Sequence, residues 1–296
     1  MAVVATGFFD GVHLGHRRVI RTLVSSAREK GEEAIVVTFS QHPRAVLQQD
    51  AHNLRLLNAP QEKEMRLRAL GVDRVESLSF DRTFARLTAE EYLREVLQAR
   101  FGATTLILGY DNRLGSDRLT PDDLRLLAQS LGLETRVVPP AAAGPDAAAV
   151  SSTKIREALD RGDAEAAEAM LGYAYSLRGV VVGGKRLGRT LNYPTANLRL
   201  YDPMKLIPAR GVYLTEVGVL GRRCDGMTNV GDIIETHIFD FREDIYGLDL
   251  SVTFKKRLRD GMEFGSLAAL KARLEADEAV CRRLLGEGAR DFRFQK

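Results

Sequence analysis

The chain has 296 residues, 45% hydrophobic and 28% charged, with a formal net charge of +3. That length suits two domains at about 100–200 residues each, and the composition excludes a disulfide-stapled miniprotein, a disordered chain and a fibre. No apolar run approaches the ~18 residues of a membrane-spanning helix, the first ten residues lack the basic start and apolar run of a secretory signal, and the cations are interleaved with acids, so a cytoplasmic protein without a membrane or nucleic-acid partner is expected.

The first half alternates short β-branched runs with amphipathic stretches. Residues 2–6, 34–39, 74–78, 104–108 and 134–138 read as strands. Residues 17–29 place Val19, Ile20, Leu23, Val24 and Ala27 on one helical face and stop before Gly31. Thr88 and Glu91 match a capping box that opens a helix with Tyr92, Leu93, Val96 and Leu97 as its stripe. Thr120-Pro121 reads as an N-cap followed by proline in the first turn, with Gly132 as the stop. Such strand–helix units imply a parallel sheet covered on both faces.

Residues 139–149 are rich in Pro, Ala and Gly and read as a loop, followed by helices over 152–161 and on to about residue 171. After Tyr173 the texture changes to β-rich segments at 177–182, 211–218, 222–229, 235–241 and 248–255, which suggest an antiparallel sandwich or small barrel. A last helix from Ser266, with Leu267, Leu270, Leu274, Cys281 and Leu284 on one side, is predicted to pack on it. The fold class is therefore α/β plus β, with domains over 1–172 and 173–296. Cys224 and Cys281 have no metal-like spacing and read as small buried hydrophobes.

Three of the five histidines, His13, His16 and His42, lie in the first 42 residues. The run Gly7-Phe8-Phe9-Asp10-Gly11-Val12-His13-Leu14-Gly15-His16 joins the first strand to the first helix, where α/β sheets bind ligands. Glycines there let the backbone approach a phosphate, and the helix start offers unpaired N–H groups. Two histidines at such a terminus can donate to charge developing on a polyphosphate. A His-x-x-His pair can also chelate a metal, but no third ligand is nearby. Ser151-Ser152-Thr153-Lys154-Ile155-Arg156 opens a later helix with hydroxyls at capping positions and Arg156 one turn along, and with the histidine run it reads as a polyphosphate clamp.

The histidine run resembles the HxGH signature of the nucleotidylyltransferase superfamily, and the serine run resembles that group's second signature. With Thr38-Phe39-Ser40-Gln41-His42-Pro43 downstream, the N-terminal half is similar to the adenylyltransferase half of prokaryotic bifunctional riboflavin kinase/FAD synthetases. The resemblance implies a Rossmann-like domain that transfers AMP from ATP to FMN and releases pyrophosphate, with no covalent enzyme intermediate. It implies ATP contacts from Gly7, Phe9, Asp10, Gly11, His13 and His16, closed over by Ser151, Ser152, Thr153 and Arg156. Gly109-Tyr110-Asp111-Asn112-Arg113-Leu114-Gly115 matches a family segment near the adenosine, placing Asp111 there. Asn112 and Leu114 stand where the family commonly has phenylalanines.

In the second half, a glycine-rich basic loop, Gly183-Gly184-Lys185-Arg186-Leu187-Gly188-Arg189, precedes Pro194-Thr195-Ala196-Asn197. Taken alone the loop reads as a hairpin. The Pro-Thr-Ala-Asn run resembles the riboflavin kinase signature, which implies Thr195 and Asn197 as oxygen ligands for the Mg²⁺ of MgATP, a hard cation. Gly183, Lys185, Gly188, Arg189, Pro194, Asn229 and Arg259 are then expected to contact ATP or flavin. Glu235 matches the family's general base for the riboflavin 5′-hydroxyl, and in isolation it reads as an exposed strand-end carboxylate. The resemblance covers nearly the whole chain, and a monomer or weak homo-oligomer is expected.

Two departures stand out. Relatives carry a longer loop, with a Pro-Thr pair, between Asn229-Val230-Gly231 and the glutamate, where only Asp232, Ile233 and Ile234 intervene here, and they have a lead-in before the first strand. Either the flavin-side loop is truncated or residues are absent from the sequence; both differences are read as absent residues, since direct joining of the strands would shift Glu235 relative to Thr195. Alternative readings are a chain that keeps only one activity, a non-catalytic flavin or nucleotide sensor, and an RNA-binding relative of the tRNA synthetases that share the histidine motif.

Overall fold

The β-branched runs of the first half pair as one parallel sheet. In this structure, a computed structural model describing residues 1–47, 54–141, 149–184, 188 and 191–291, they are β1 (Ala2–Thr6), β2 (Glu33–Phe39), β3 (Arg74–Leu78), β4 (Ala103–Gly109) and β5 (Glu134–Val138). The sheet order is β3-β2-β1-β4-β5. β1 is fully buried, with β2 on one side and β4 on the other. The winding direction therefore reverses at β1, and the loops leaving β1 and β4 open onto the crevice that follows from such a reversal.

Helix α1 (Leu14–Lys30) runs from the end of the histidine loop to Gly31, whose left-handed φ of 64° and amide bonds to Ala27 and Arg28 carbonyls close it. Its buried face, Val19, Ile20, Leu23 and Ala27, packs on Val3, Ala5, Ala34 and Val36 of the sheet. Two helices lie where the sequence predicts none: α2 (Pro43–Leu47) and α3 (Pro60–Arg68), the second of which packs Leu67 on the α1 side. The opposite face is covered by α4 (Ala89–Glu91), which continues through π-helical turns over Tyr92–Gln98 into α5 (Ala99–Phe101), and by α6 (Pro121–Ser130). The Thr88–Glu91 capping box forms, and Thr120 caps α6 with Asp123.

By compactness the chain divides between Ser152 and Thr153. Helices α7 (Ser152–Asp160) and α8 (Ala164–Leu171) lead to the second unit's six antiparallel strands: β6 (Ser176–Val182), β7 (Ala196–Leu200), β8 (Gly211–Val219), β9 (Arg222–Val230), β10 (Ile234–Ile238) and β11 (Asp249–Arg259). They close into a barrel of order β10-β7-β6-β11-β8-β9, so the choice between sandwich and barrel falls to the barrel. Tyr213, Phe254, Leu177 and Val252 are fully buried, and the hydroxyls of Thr215, Thr228 and Thr236 bond in series at 2.9 Å.

The last helix, α9 (Leu267–Asp291), packs Leu274, Cys281, Leu284 and Leu285 on Tyr193, Leu214, Met227 and Phe239. Asp277, 1% exposed, accepts the Arg259 guanidinium at 2.7 Å and Arg273 at 3.0 Å, which fastens α9 to the end of β11.

Four expectations change. Leu267 is 54% exposed and lies outside the packed stripe, because the helix meets the barrel only further along. Cys281 is buried as expected, whereas Cys224 is partly exposed on β9. The strand through Glu235 ends at Ile238 rather than Phe241, and β7 forms at residues 196–200, where no strand is predicted. The loop expected at 139–149 falls mostly outside the described residues.

Candidate active sites

The histidine loop follows a path that most side chains avoid. Phe9, Gly11 and Val12 all have left-handed φ, at 54°, 83° and 38°, a conformation that costs a non-glycine residue about 1–2 kcal/mol. Neighbouring groups hold it there. The Asp10 carboxylate accepts from Leu57 N at 3.0 and 3.1 Å and from Asn58 N at 3.2 Å. Thr38 Oγ1 donates to Phe8 O at 3.1 Å, and Ser152 Oγ donates to Asp10 O at 2.9 Å. Asp10 thus turns its carboxylate into the protein, and the Ser152 hydroxyl braces the loop from behind.

The loop delivers His13 to the N-cap of α1, where its Nδ1 accepts from His16 N at 3.3 Å. In the neutral ring this puts the proton on Nε2. The His13 and His16 rings stack with centroids 3.6 Å apart and planes 18° from parallel, and Phe9 meets His16 edge-on at 5.3 Å. Stacked rings do not aim two nitrogens at one ion, and no group of three or more His, Cys, Asp or Glu that could hold a metal occurs among the described residues. Burial, then His13, then Lys63 keep His16 well below its ordinary pKa of 6.5, so His16 is a neutral donor at a helix N-terminus. Its Nδ1 is buried without a hydrogen-bond partner.

Across the crevice, Asn112 Nδ2 donates to Thr6 O at 3.2 Å, tying the loop after β4 to the end of β1. Asn112 is therefore a brace rather than a stacking platform, and Leu114 packs into the apolar cluster. Asp111 and Tyr110 are exposed beside it. Gly7 donates its N–H to Val37 O. Ser151 and Ser152 close the first compact unit, and Thr153 and Arg156 stand on α7 in the second. The sequence reading passes over Lys63, whose Nζ donates to Phe8 O at 3.0 Å.

In the barrel, β10 alternates: Ile234, Thr236 and Ile238 point inward, and Glu235 and His237 outward. Glu235 pairs directly with Asn197 on β7 and with Asn229 on β9. With its amide oriented to suit both neighbours, Asn197 donates to Glu235 Oε1 at 3.2 Å and accepts from Gly184 N at 3.2 Å. A Cβ on Gly184 would fall 1.6 Å from the Asn197 amide oxygen in this orientation, so any larger residue here must push the Asn197 side chain aside. Direct joining of β9 to β10 through Gly231, Asp232 and Ile233 therefore leaves Glu235 in register with Asn197.

A cavity of about 860 Å³ is lined by Pro194, Thr195, Thr236, Phe241, Asp244 and Tyr246, among others, with neither Glu235 nor Asn197 in its lining. A second of about 370 Å³ shares Asn192, Pro194 and Ile238 with it and reaches Glu278 and Arg282 of α9. Both sizes suit small-molecule sites. His237 Nδ1 lies 2.8 Å from Pro194 O and steadies the segment before Thr195. Gly188 accepts from Leu191 and Tyr193 amides. Gly183 leaves β6 next to Gly184, Lys185 and Arg189 lie outside the described residues, and Arg259 is engaged by Asp277.

Two family models match, one described as FAD synthetase over residues 1–154 and one as riboflavin kinase over residues 171–285. The bifunctional riboflavin kinase/FMN adenylyltransferase of Listeria monocytogenes serovar 1/2a is 34% identical over 289 residues, covering 93% of this chain and 90% of its own. That of Escherichia coli K12 is 33% identical, covering 96% and 93%. A solved structure from Streptococcus pneumoniae, described as a macrolide-efflux protein, superposes with a TM-score of 0.88 at 35% identity over 95% of this chain and 93% of that one. Among the described residues no helix is long and apolar enough to cross a membrane. Matches to both halves in order, together with relatives at this identity along almost the full length, show that the chain belongs to the bifunctional riboflavin kinase/FMN adenylyltransferase family and carries both activities.

Proposed function

We propose that the two reactions divide at residues 172/173: the barrel phosphorylates riboflavin with ATP, and the parallel-sheet half transfers AMP from a second ATP to the FMN formed. Two observations carry this reading: the His13–His16 stack at the α1 terminus in the parallel-sheet half, and Glu235 hydrogen-bonded to Asn197 in the barrel half. The start of the riboflavin kinase match at residue 171 and the left-handed Gly172 that ends α8 support the boundary.

In the first half, an FMN phosphate oxygen attacks the α-phosphorus of ATP, and the bond to the β-phosphate oxygen breaks, releasing pyrophosphate. The His13 Nε2–H, the His16 ring and the first amides of α1 stabilise the charge on the leaving group, the kind of donor set that phosphoryl transfer requires. Ser151 supplies a further phosphate contact, the Ser152 hydroxyl braces the loop through Asp10 O, and Asp111 contacts the adenosine. Gly7, Phe9, Asp10 and Gly11 shape the loop that carries the donors.

In the barrel, Glu235 takes the proton of the riboflavin 5′-hydroxyl as its oxygen attacks the γ-phosphorus, and ADP leaves. The Thr195 hydroxyl and the Asn197 amide oxygen suit Mg²⁺, because a hard cation that keeps its nucleotide's phosphates as ligands needs only a few protein oxygens. Thr195 and Asn197 would hold the ion, which would supply neutralisation of phosphate charge. Gly183, Lys185, Gly188, Arg189, Pro194 and Asn229 contact ATP or flavin around it, and Arg259 acts by holding α9 against the barrel. Two free thiols, one partly exposed, fit a reducing, ATP-supplied cytoplasm.

The test is product analysis of purified protein with riboflavin, ATP and Mg²⁺, run in parallel from FMN. FMN and FAD are expected from riboflavin, and FAD from FMN. Absence of both products would overturn the reading.

A further inference from the structure

A buried ammonium sits beneath the histidine loop. Lys63, 6% exposed on α3, donates to Phe8 O at 3.0 Å, Thr38 Oγ1 at 3.0 Å and Phe39 O at 3.3 Å. Its Nζ also lies 4.0 Å from the centre of the Phe8 ring, which in turn packs on His42 at 4.4 Å. Burying an ammonium is costly unless every donor finds an acceptor, and here the three donors are matched by three oxygens. A neutral residue would close the same core without that cost, so the charge calls for a reason.

The placement of its partners supplies one. The amides of Leu57 and Asn58, just ahead of α3, hold the Asp10 carboxylate, while Lys63 holds Phe8. The two ties grip the loop on either side of Phe9, where its backbone turns left-handed. Strained backbone of this kind persists only where its surroundings over-determine it, and what it positions is the His13–His16 stack. Burial lowers the Lys63 pKa to about 8, opposed by the nearby Asp10 charge, and its own charge in turn helps to keep His16 neutral.

Building on the adenylyl-transfer reading of this site, we propose that Lys63 is a positioning residue for that reaction, fixing the histidine loop through Phe8 and placing a buried positive charge behind the phosphate site. It touches no substrate and acts through the loop.

The experiment compares wild type, Lys63→Met and Thr38→Val in FAD formation from FMN and ATP, with FMN formation from riboflavin in the same preparations as the internal control. Displacement of a reacting group by about 1 Å costs about 10²-fold. The expected result for Lys63→Met is therefore a fall of that order in kcat per folded site, a raised KM for ATP, and FMN formation within about twofold of wild type. A purely structural role would lower the folded fraction but leave kcat per folded site and the KM for ATP unchanged, and that result overturns the proposal. Thr38→Val decides if Lys63→Met does not fold. It removes one of the three acceptors, so a change in the same direction of about fivefold is expected, and wild-type values overturn the proposal. Wild type that makes no FAD would instead refute the adenylyl-transfer reading, and His16→Ala that still makes FAD would refute the histidine assignment.

Discussion

Glu235 and Asn197 face each other across neighbouring strands of the barrel, and the Asn197 amide donates to Glu235 Oε1 at 3.2 Å. The proposed base and the proposed metal ligand are thus held in one hydrogen-bonded pair. Replacing Glu235 with Gln keeps the shape and removes the proton acceptor. FMN formation should fall about 10²–10⁴-fold, with FAD formation from supplied FMN unchanged, as read by chromatography of the products.

The reciprocal separation is expected from His16→Ala. Loss of one donor aimed at developing charge costs about 10²–10³ in kcat. FAD formation should drop by that factor while riboflavin is still converted to FMN at the wild-type rate.

Gly184→Ala tests the close approach above Asn197. The added Cβ, 1.6 Å from the Asn197 amide oxygen, must displace either the loop or the amide. Riboflavin kinase activity should weaken with a raised Mg²⁺ requirement, measured by titrating Mg²⁺ at fixed ATP, and FAD formation from FMN should be unaffected.

The stability of the first unit should depend on pH through His16. Its folded-state pKa lies well below 6.5, so between that lower value and 6.5 the unfolded chain binds more protons than the folded one. Stability is therefore full above about 6.5 and is lost as pH falls below it. Urea unfolding from about pH 7.5 down to about pH 5.5 should show a falling midpoint, and His16→Asn should flatten that dependence. A midpoint that is equally pH-dependent in the variant would assign the effect elsewhere.

Asp277→Ala would leave Arg259 and Arg273 beside a buried site with no carboxylate. Breaking a buried pair from one side costs about 3–5 kcal/mol. Unfolding of the barrel by denaturant should shift accordingly, with loss of the α9 contacts visible as enhanced amide exchange.

Much of this architecture is legible in the sequence because β-branched runs and cap residues act locally. β1, β3 and β5 fall at their predicted bounds, and Gly31, Thr88 and Thr120 cap as their types require. The misses have a common cause. α3 is a run of charged residues in which only Lys63 and Leu67 are buried, so it carries no apolar stripe. β7 contains Asn197, a poor strand former, held there by β6 and β10. Likewise, the histidine loop can be recognised as a phosphate site from its residue types. That Asp10 turns inward to Leu57 and Asn58, and that Asn112 braces Thr6, depends on partners about 50 and 100 residues away, beyond the reach of any local pattern.

The three-residue connection between β9 and β10 also has a thermodynamic consequence. Fixing one residue's backbone costs about 1–2 kcal/mol in entropy, so a long flexible segment at this point would have to be ordered each time substrate enters. Here the turn Gly231-Asp232-Ile233 is closed by the Gly231 N–H to Ile233 O bond at 3.2 Å, and the strands on both sides are already laddered. That edge of the barrel is set at folding rather than at binding, so substrate capture beside the proposed base Glu235 would draw on little local ordering.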